Sequence, residues 1–158
     1  MGYASNTIAQ FDIKRGGVVN SFSTPVSQFQ GQQINKIDCH PTLGLVASAH
    51  EGGELSLFDF NSSKSVKVLP GAHGSPSIGA STVLFTKSGL EMLSGAHDGS
   101  VKVWDLRTYR PIQEIEGGVA HQRKYGEGVT FIAEHPEAPF FGTGGADCLV
   151  NLYELNPQ

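Results

Sequence analysis

Cysteine is nearly absent from this chain: Cys39 and Cys148 are the only two in 158 residues, far apart and in no Cys/His ligand spacing. That excludes a disulfide framework and a zinc cluster, and it fits a reducing compartment. Charge is scarce too, at 16% of residues against roughly 25% in ordinary soluble domains. With 11 Lys+Arg against 15 Asp+Glu the net charge is only −4, so a dedicated nucleic-acid or membrane-surface protein is not expected. No apolar run approaches the ~18 residues of a membrane span, and the first residues lack the charged-then-apolar layout of a secretory signal. The expectation is a soluble, cytoplasmic chain that does not insert into membranes. What the chain does have is 39% hydrophobic residues, enough for a core, with 20 glycines and 8 prolines. Gly plus Pro still falls below the ~25–30% of low-complexity sequence. That balance suits many short strands joined by tight turns.

An internal period organises those strands. An aromatic followed by an acid recurs as Phe11-Asp12, Phe58-Asp59, Trp104-Asp105 and Tyr153-Glu154, with the acids spaced by 47, 46 and 49 residues. The spacing sits just above the ~40–45 residues of a WD repeat. With the acids aligned, Ser48, Ser94 and Thr143 fall into register, as do His40, Thr86 and His135. Two and four residues before each acid stand Leu57 and Leu55, Val103 and Val101, Leu152 and Val150. This alternation is the period-2 signature of a strand. Turn sequences such as His40-Pro41-Thr42-Leu43-Gly44, Lys87-Ser88-Gly89 and His97-Asp98-Gly99 separate one strand from the next.

The pattern predicts strands near 7–12, 17–22, 33–39, 45–49, 54–60, 65–69, 81–86, 90–95, 100–106, 111–115, 129–134, 140–144 and 148–155, with no helix. Four-stranded units of this length are propeller blades. The fold class is therefore all-β, a partial WD-repeat β-propeller of about 3.4 four-stranded blades. Residues 1–24 hold the last strands of an incomplete blade, 25–70 and 71–118 hold complete repeats, and 119–158 a repeat lacking its last strand. An open propeller leaves unpaired edges, so self-association through them is expected.

His73, Ser94, Asp98 and Trp104 imitate a catalytic triad. In WD repeats, which this sequence resembles, such a set forms a buried hydrogen-bond chain that satisfies polar groups inside the blade. Asp98 is expected to accept from one His73 nitrogen, while the other nitrogen and the Trp104 indole meet Ser94. No G-x-S-x-G elbow surrounds Ser94, so no catalytic residue is assigned. The last repeat carries His121, Thr143, Asp147 and Tyr153, with the indole donor lost. The repeat before His73 keeps Ser48, but Gly52 stands where the acid belongs, Phe58 replaces Trp, and apolar packing is expected to hold that blade alone.

The six histidines are dispersed at repeat spacing, so no metal or cofactor is expected. His50 and His97 are read as turn residues, and the densest charge cluster is His121-Gln122-Arg123-Lys124-Tyr125-Gly126-Glu127 in the long loop between blades. Loops on a rigid scaffold carry function, and Arg and Tyr are enriched at interfaces. His50, Glu51, His97, Gln122, Arg123, Lys124 and Tyr125 are the candidate partner-binding residues, with a solvated loop as the plainer alternative.

Finer features narrow the class: Ile34-Asn35-Lys36, His40-Pro41-Thr42, Ala49-His50-Glu51, Ser94-Gly95-Ala96-His97-Asp98, Ile112-Gln113-Glu114, His121 with Arg123-Lys124, and Gly145-Ala146-Asp147. In that order they resemble the C-terminal WD-repeat blades of the striatin family. The resemblance implies a non-enzymatic scaffold, a subunit of a striatin-interacting assembly that regulates protein phosphatase 2A and recruits kinases. The family's coiled coil and calmodulin-binding segment have no counterpart in these residues, so calmodulin binding is not carried over. Two alternatives stay open at this point: a structural part of a propeller with no binding role until joined to further blades, and a generic WD-repeat adaptor unrelated to phosphatase.

Overall fold

The computed structural model describes residues 7–23, 33–75 and 77–155, and among them there is no helix. Among the described residues thirteen strands form four antiparallel sheets. The first sheet is a hairpin of β1 (Thr7–Asp12) and β2 (Gly17–Ser23). The second runs β3 (Ile34–Cys39), β4 (Leu45–His50), β5 (Leu55–Asp59), β6 (Lys64–Leu69). The third runs β7 (Ala80–Phe85), β8 (Glu91–Ala96), β9 (Val101–Asp105), β10 (Arg110–Ile115). The fourth holds β11 (Val129–Glu134), β12 (Phe140–Gly145) and β13 (Val150–Glu154). The chain is thus an unclosed, partial WD-type propeller, its blades numbered one to four here in chain order. The expected tail beyond Leu155, the start of the first repeat and the link through 24–32 lie outside the described residues.

Within each sheet sequential strands pair as neighbours across short connections, and longer loops join β6 to β7 and β10 to β11. The first strand of blades two, three and four carries a bulge against the second, skipping Asn35, Ser81 and Thr130 in the ladder. A bulge frees one residue from pairing and turns its side chain elsewhere. Asn35 Nδ2 donates to Ala80 O of the next blade at 3.0 Å, and Ser81 Oγ lies 2.5 Å from Val129 O of the blade after that. The same register position thus ties each blade to its successor.

Apolar burial does the rest. Leu55 and Leu57 of blade two, both 0% exposed, pack with Val83, Phe85, Met92 and Trp104 of blade three. Val101 and Val103 of blade three pack with Val129, Ile132 and Phe141 of blade four. Burying such a side chain fully contributes about 1.5–3 kcal/mol, so the core is a series of sandwiches between blades. The smaller cluster of Ile8 with Phe58 seats the first hairpin on blade two.

Candidate functional site

In blade three the polar set forms a single donor chain. Trp104 Nε1 donates to Ser94 Oγ at 2.8 Å, and Ser94 Oγ meets His73 Nε2 at 2.9 Å. His73 Nδ1 then reaches Ser100 Oγ at 2.6 Å, and Ser100 donates to Asp98 Oδ1 at 2.6 Å. Each hydroxyl gives one proton and receives another, which the neutral imidazole permits. Burial, opposed by the Asp98 charge, pushes the His73 pKa down to about 4, so the ring is uncharged at neutral pH. The expected direct contact between His73 and Asp98 is corrected: Ser100 relays it. Asp98 also accepts from the Ser100 backbone N–H at 2.9 Å, which holds the carboxylate in its own turn and leaves the hydroxyl to reach the ring.

Blade four closes the same gap without a relay. Leu149 stands where blade three has Ser100, and His121 Nδ1 meets Asp147 Oδ1 directly at 2.9 Å. Thr143 Oγ1 lies 2.7 Å from His121 Nε2. The Gln122 N–H and His121 hold the Asp147 carboxyl down at about 2. Tyr153 is corrected as a network member: it stacks on Phe141 with ring centroids 5.1 Å apart, and no hydrogen bond joins it to Thr143 among the described residues. Asn151, which the sequence reading missed, approaches from β13 instead, with Nδ2 3.4 Å from His121 Nε2.

Blade two corrects two expectations together. His50 is no exposed turn residue: it ends β4 at 0% exposure, and its Nε2 lies 2.8 Å from Ser48 Oγ. Its Nδ1 lies 3.9 Å from the buried Glu54 carboxylate. Blade two therefore has a polar pair of its own and does not rely on apolar packing alone. Aligned positions explain it: His50 matches Ala96 and Gly145, and Glu54 matches Ser100 and Leu149. Where a histidine arrives from the preceding loop, the strand residue beneath it is small; Gly145 indeed lies against the His121 ring. Blade two places the histidine on the strand itself and its acid two residues later than Gly52. Burial pushes the His50 pKa down to about 4.

The remaining candidates sit at one end of the blades. Exposed Glu51 accepts from His97 Nε2 at 3.1 Å and from Asn35 Nδ2 at 2.8 Å, bridging blades two and three. Burial raises the Glu51 pKa, but the bonds from Asn35 and His97 outweigh it and leave the carboxyl below its usual value. The loop before blade four packs on the neighbouring turn, with the His121 N–H on Gly99 O at 3.2 Å. Gln122, Arg123, Lys124 and Tyr125 are exposed there. Lys124 and Glu127 exchange backbone hydrogen bonds of 2.8 and 2.9 Å around Tyr125 and Gly126, both at positive φ. That is the geometry of a primed hairpin turn. Arg123 Nε donates to Gly126 O at 3.1 Å, and Tyr125 projects from the tip fully exposed. Among the described residues no group of three His, Cys, Asp or Glu is placed to hold a metal.

A family model described as nucleolar protein 10-like, N-terminal domain, matches residues 1–138. The chain belongs to this β-propeller family. Among curated proteins, the striatin homolog of Dictyostelium discoideum is 32% identical over 155 residues, covering 95% of this chain and 18% of that protein. Human striatin is 31% identical over 121 residues, 77% of this chain and 15% of its own length. Rat striatin-3 is 32% identical over 121 residues, 76% and 14%. The chain thus spans less than a fifth of the curated relatives it matches. These findings bear out the striatin-family, WD-repeat reading taken from the motifs.

Proposed function

We propose that the chain is a non-enzymatic interaction module, a WD-repeat scaffold whose blade-end loops dock proteins. Within a striatin-type setting the partners are subunits of a protein phosphatase 2A and kinase assembly. The observation that carries the reading is Tyr125: fully exposed, yet fixed on a hydrogen-bonded turn between a basic pair and Glu127. An exposed aromatic on a rigid turn loses little side-chain freedom when a partner covers it, which is what an interface anchor requires. The polar set that resembles a triad supports the non-enzymatic part, because Ser94 is shared between His73 and Trp104 inside the blade and is 0% exposed.

The test is co-purification of phosphatase-complex subunits with the full chain and with a Tyr125→Ala, Arg123→Glu, Lys124→Glu triple variant. The expected result is loss of capture with an unchanged thermal melt. Capture that survives all three substitutions overturns this surface as the docking site.

A further inference from the structure

The gap between neighbouring blades is filled at one interface and open at the matching place of another. Between blades two and three, Tyr109 in the turn from β9 to β10 packs on the core that includes Leu57, and Lys67 Nζ lies 5.9 Å from its ring centroid. Aligned on the acids, the residues at these positions between blades one and two are Ser63 for Tyr109, Gln10 for Leu57 and Asn20 for Lys67. Ser63 and Tyr109 share the left-handed backbone, at φ 55° and 56°, so their Cα–Cβ bonds leave the turn alike. A hydroxymethyl group does not reach where the phenol ring lies, and the space stays open.

That space is a pocket of about 370 Å³, lined by Gln10, Val19 and Asn20 of blade one and by Gly44, Phe60 and Asn61 of blade two. Its size falls within the roughly 300–1,000 Å³ of small-ligand sites. Both walls are strands and turns inside the chain, and the opening follows from residue size at matched positions. Asn20 Nδ2 donates to Gln10 Oε1 at 2.9 Å, which leaves Asn20 an acceptor and Gln10 a donor for an occupant. Gly44 keeps room for the third carboxamide: a methyl group there would sit 2.6 Å from Asn61 Nδ2. Val19 and Phe60 add apolar surface, and among the described residues no charged side chain lines the pocket.

We propose that this pocket receives a tyrosine side chain of a protein partner, in the place that Tyr109 fills one interface further on. An uncharged lining disfavours an ionic ligand, and carboxamides covered by a plain hydrocarbon ring lose their hydrogen bonds to water without replacement. A phenol hydroxyl both donates and accepts, so it answers the open groups of Gln10 and Asn20 while its ring covers Val19 and Phe60. The site lies where the β3–β4 and β5–β6 turns meet, at the end of the blades opposite the loop that carries Tyr125. A probe that carries the tyrosine side chain alone therefore tests it apart from the Tyr125 surface.

The test follows the backbone and side-chain amide signals of the isotope-labelled full chain by nuclear magnetic resonance while N-acetyltyrosinamide is added, with N-acetylphenylalaninamide as the control. The expected result is saturable shifts at Gln10, Asn20, Gly44 and Asn61 in the millimolar range, with the phenylalanine probe weaker by about tenfold. Ser63→Tyr supplies the ring from the chain itself, as Tyr109 does, and is expected to abolish the shifts while circular dichroism stays unchanged. Gln10→Leu takes the residue of the next interface and is expected to erase the preference for tyrosine over phenylalanine. Absence of saturable shifts in wild type, equal binding of the two probes, or an unchanged preference in Gln10→Leu overturns the proposal. So does tyrosine binding that persists in a folded Ser63→Tyr variant.

Discussion

Ser100 stands between His73 and Asp98, its hydroxyl 2.6 Å from the His73 Nδ1 and 2.6 Å from the Asp98 carboxylate. The acid therefore hydrogen-bonds to the histidine only through a neighbour two residues along its own strand entry, while its charge acts on the ring directly. Because Ser94 in turn links the ring to Trp104, four side chains share one direction of proton donation, and removing any interior link strands a buried polar group.

Ser100→Ala leaves the His73 Nδ1 proton without its acceptor, and Asp98→Ala leaves the Ser100 hydroxyl without its own. Each is expected to lower stability by about 1–3 kcal/mol. Because both break one chain, the double variant should cost clearly less than the sum. Urea unfolding followed through Trp104, the single tryptophan, measures all three. Additive losses would show that Asp98 and Ser100 act separately.

Acid should loosen the blades before it reaches the carboxylates. Burial holds His73 and His50 at about 4 when folded, while in the unfolded chain both take up protons near the ordinary 6.5. Between those values the unfolded state binds more protons, so stability is whole above pH 6.5, falls as the pH drops toward 4, and then levels off for these two groups. Asp147, held at about 2, extends the loss from its ordinary value of 3.8 downward. Thermal melts from pH 7 to 4 should show a steadily falling midpoint. A flat profile would mean that the buried rings are not the groups that resist protonation.

The thirteen strands were legible because two signals agreed: alternating apolar residues within a strand and a fixed distance between the aromatic-acid pairs. Strand ends matched within about two residues, as with β8, expected near 90–95 and found at Glu91–Ala96. The relay by Ser100 was not legible, because only geometry decides whether an acid or a hydroxyl two residues later meets the ring. His50 was misread because Glu51-Gly52-Gly53 follows it like a turn. Its burial had a signal, in the small Ala96 and Gly145 at the matching positions. The fixed turn presenting Tyr125 followed from Gly126 and the pairing of Lys124 with Glu127, which charge clustering alone did not reveal.

Two glycines at nearly equal φ separate backbone strain from crowding. Gly99 has φ +88° and Gly118 φ +87°, but a methyl group at Gly99 would collide with the His121 backbone, while at Gly118 it meets nothing. Both alanine variants carry the cost of a left-handed conformation, about 1–2 kcal/mol. Gly99→Ala must also push the loop before blade four off its neighbour. The expected result is a loss at Gly99 well beyond that at Gly118 in chemical unfolding. Equal losses would show that the blade-to-loop contact gives way freely.

Blade two offers the sharpest contrast between adjacent residues. His50 is fully buried against Ser48, while Glu51 is exposed and its bond to His97 runs through water-accessible surface. Exposed ion pairs contribute about 0–1 kcal/mol, so Glu51→Ala should cost little. His50→Ala removes ring volume from the blade and leaves the Ser48 hydroxyl and the buried Glu54 without the imidazole beside them. A loss of about 2–4 kcal/mol is expected from the cavity and the lost polar contact together. Gln at position 50 should recover part of it by offering an amide to Ser48. Comparing the three melts decides between a structural and a surface role for this histidine: if His50→Ala melts like Glu51→Ala, the Ser48 pair does not hold the blade.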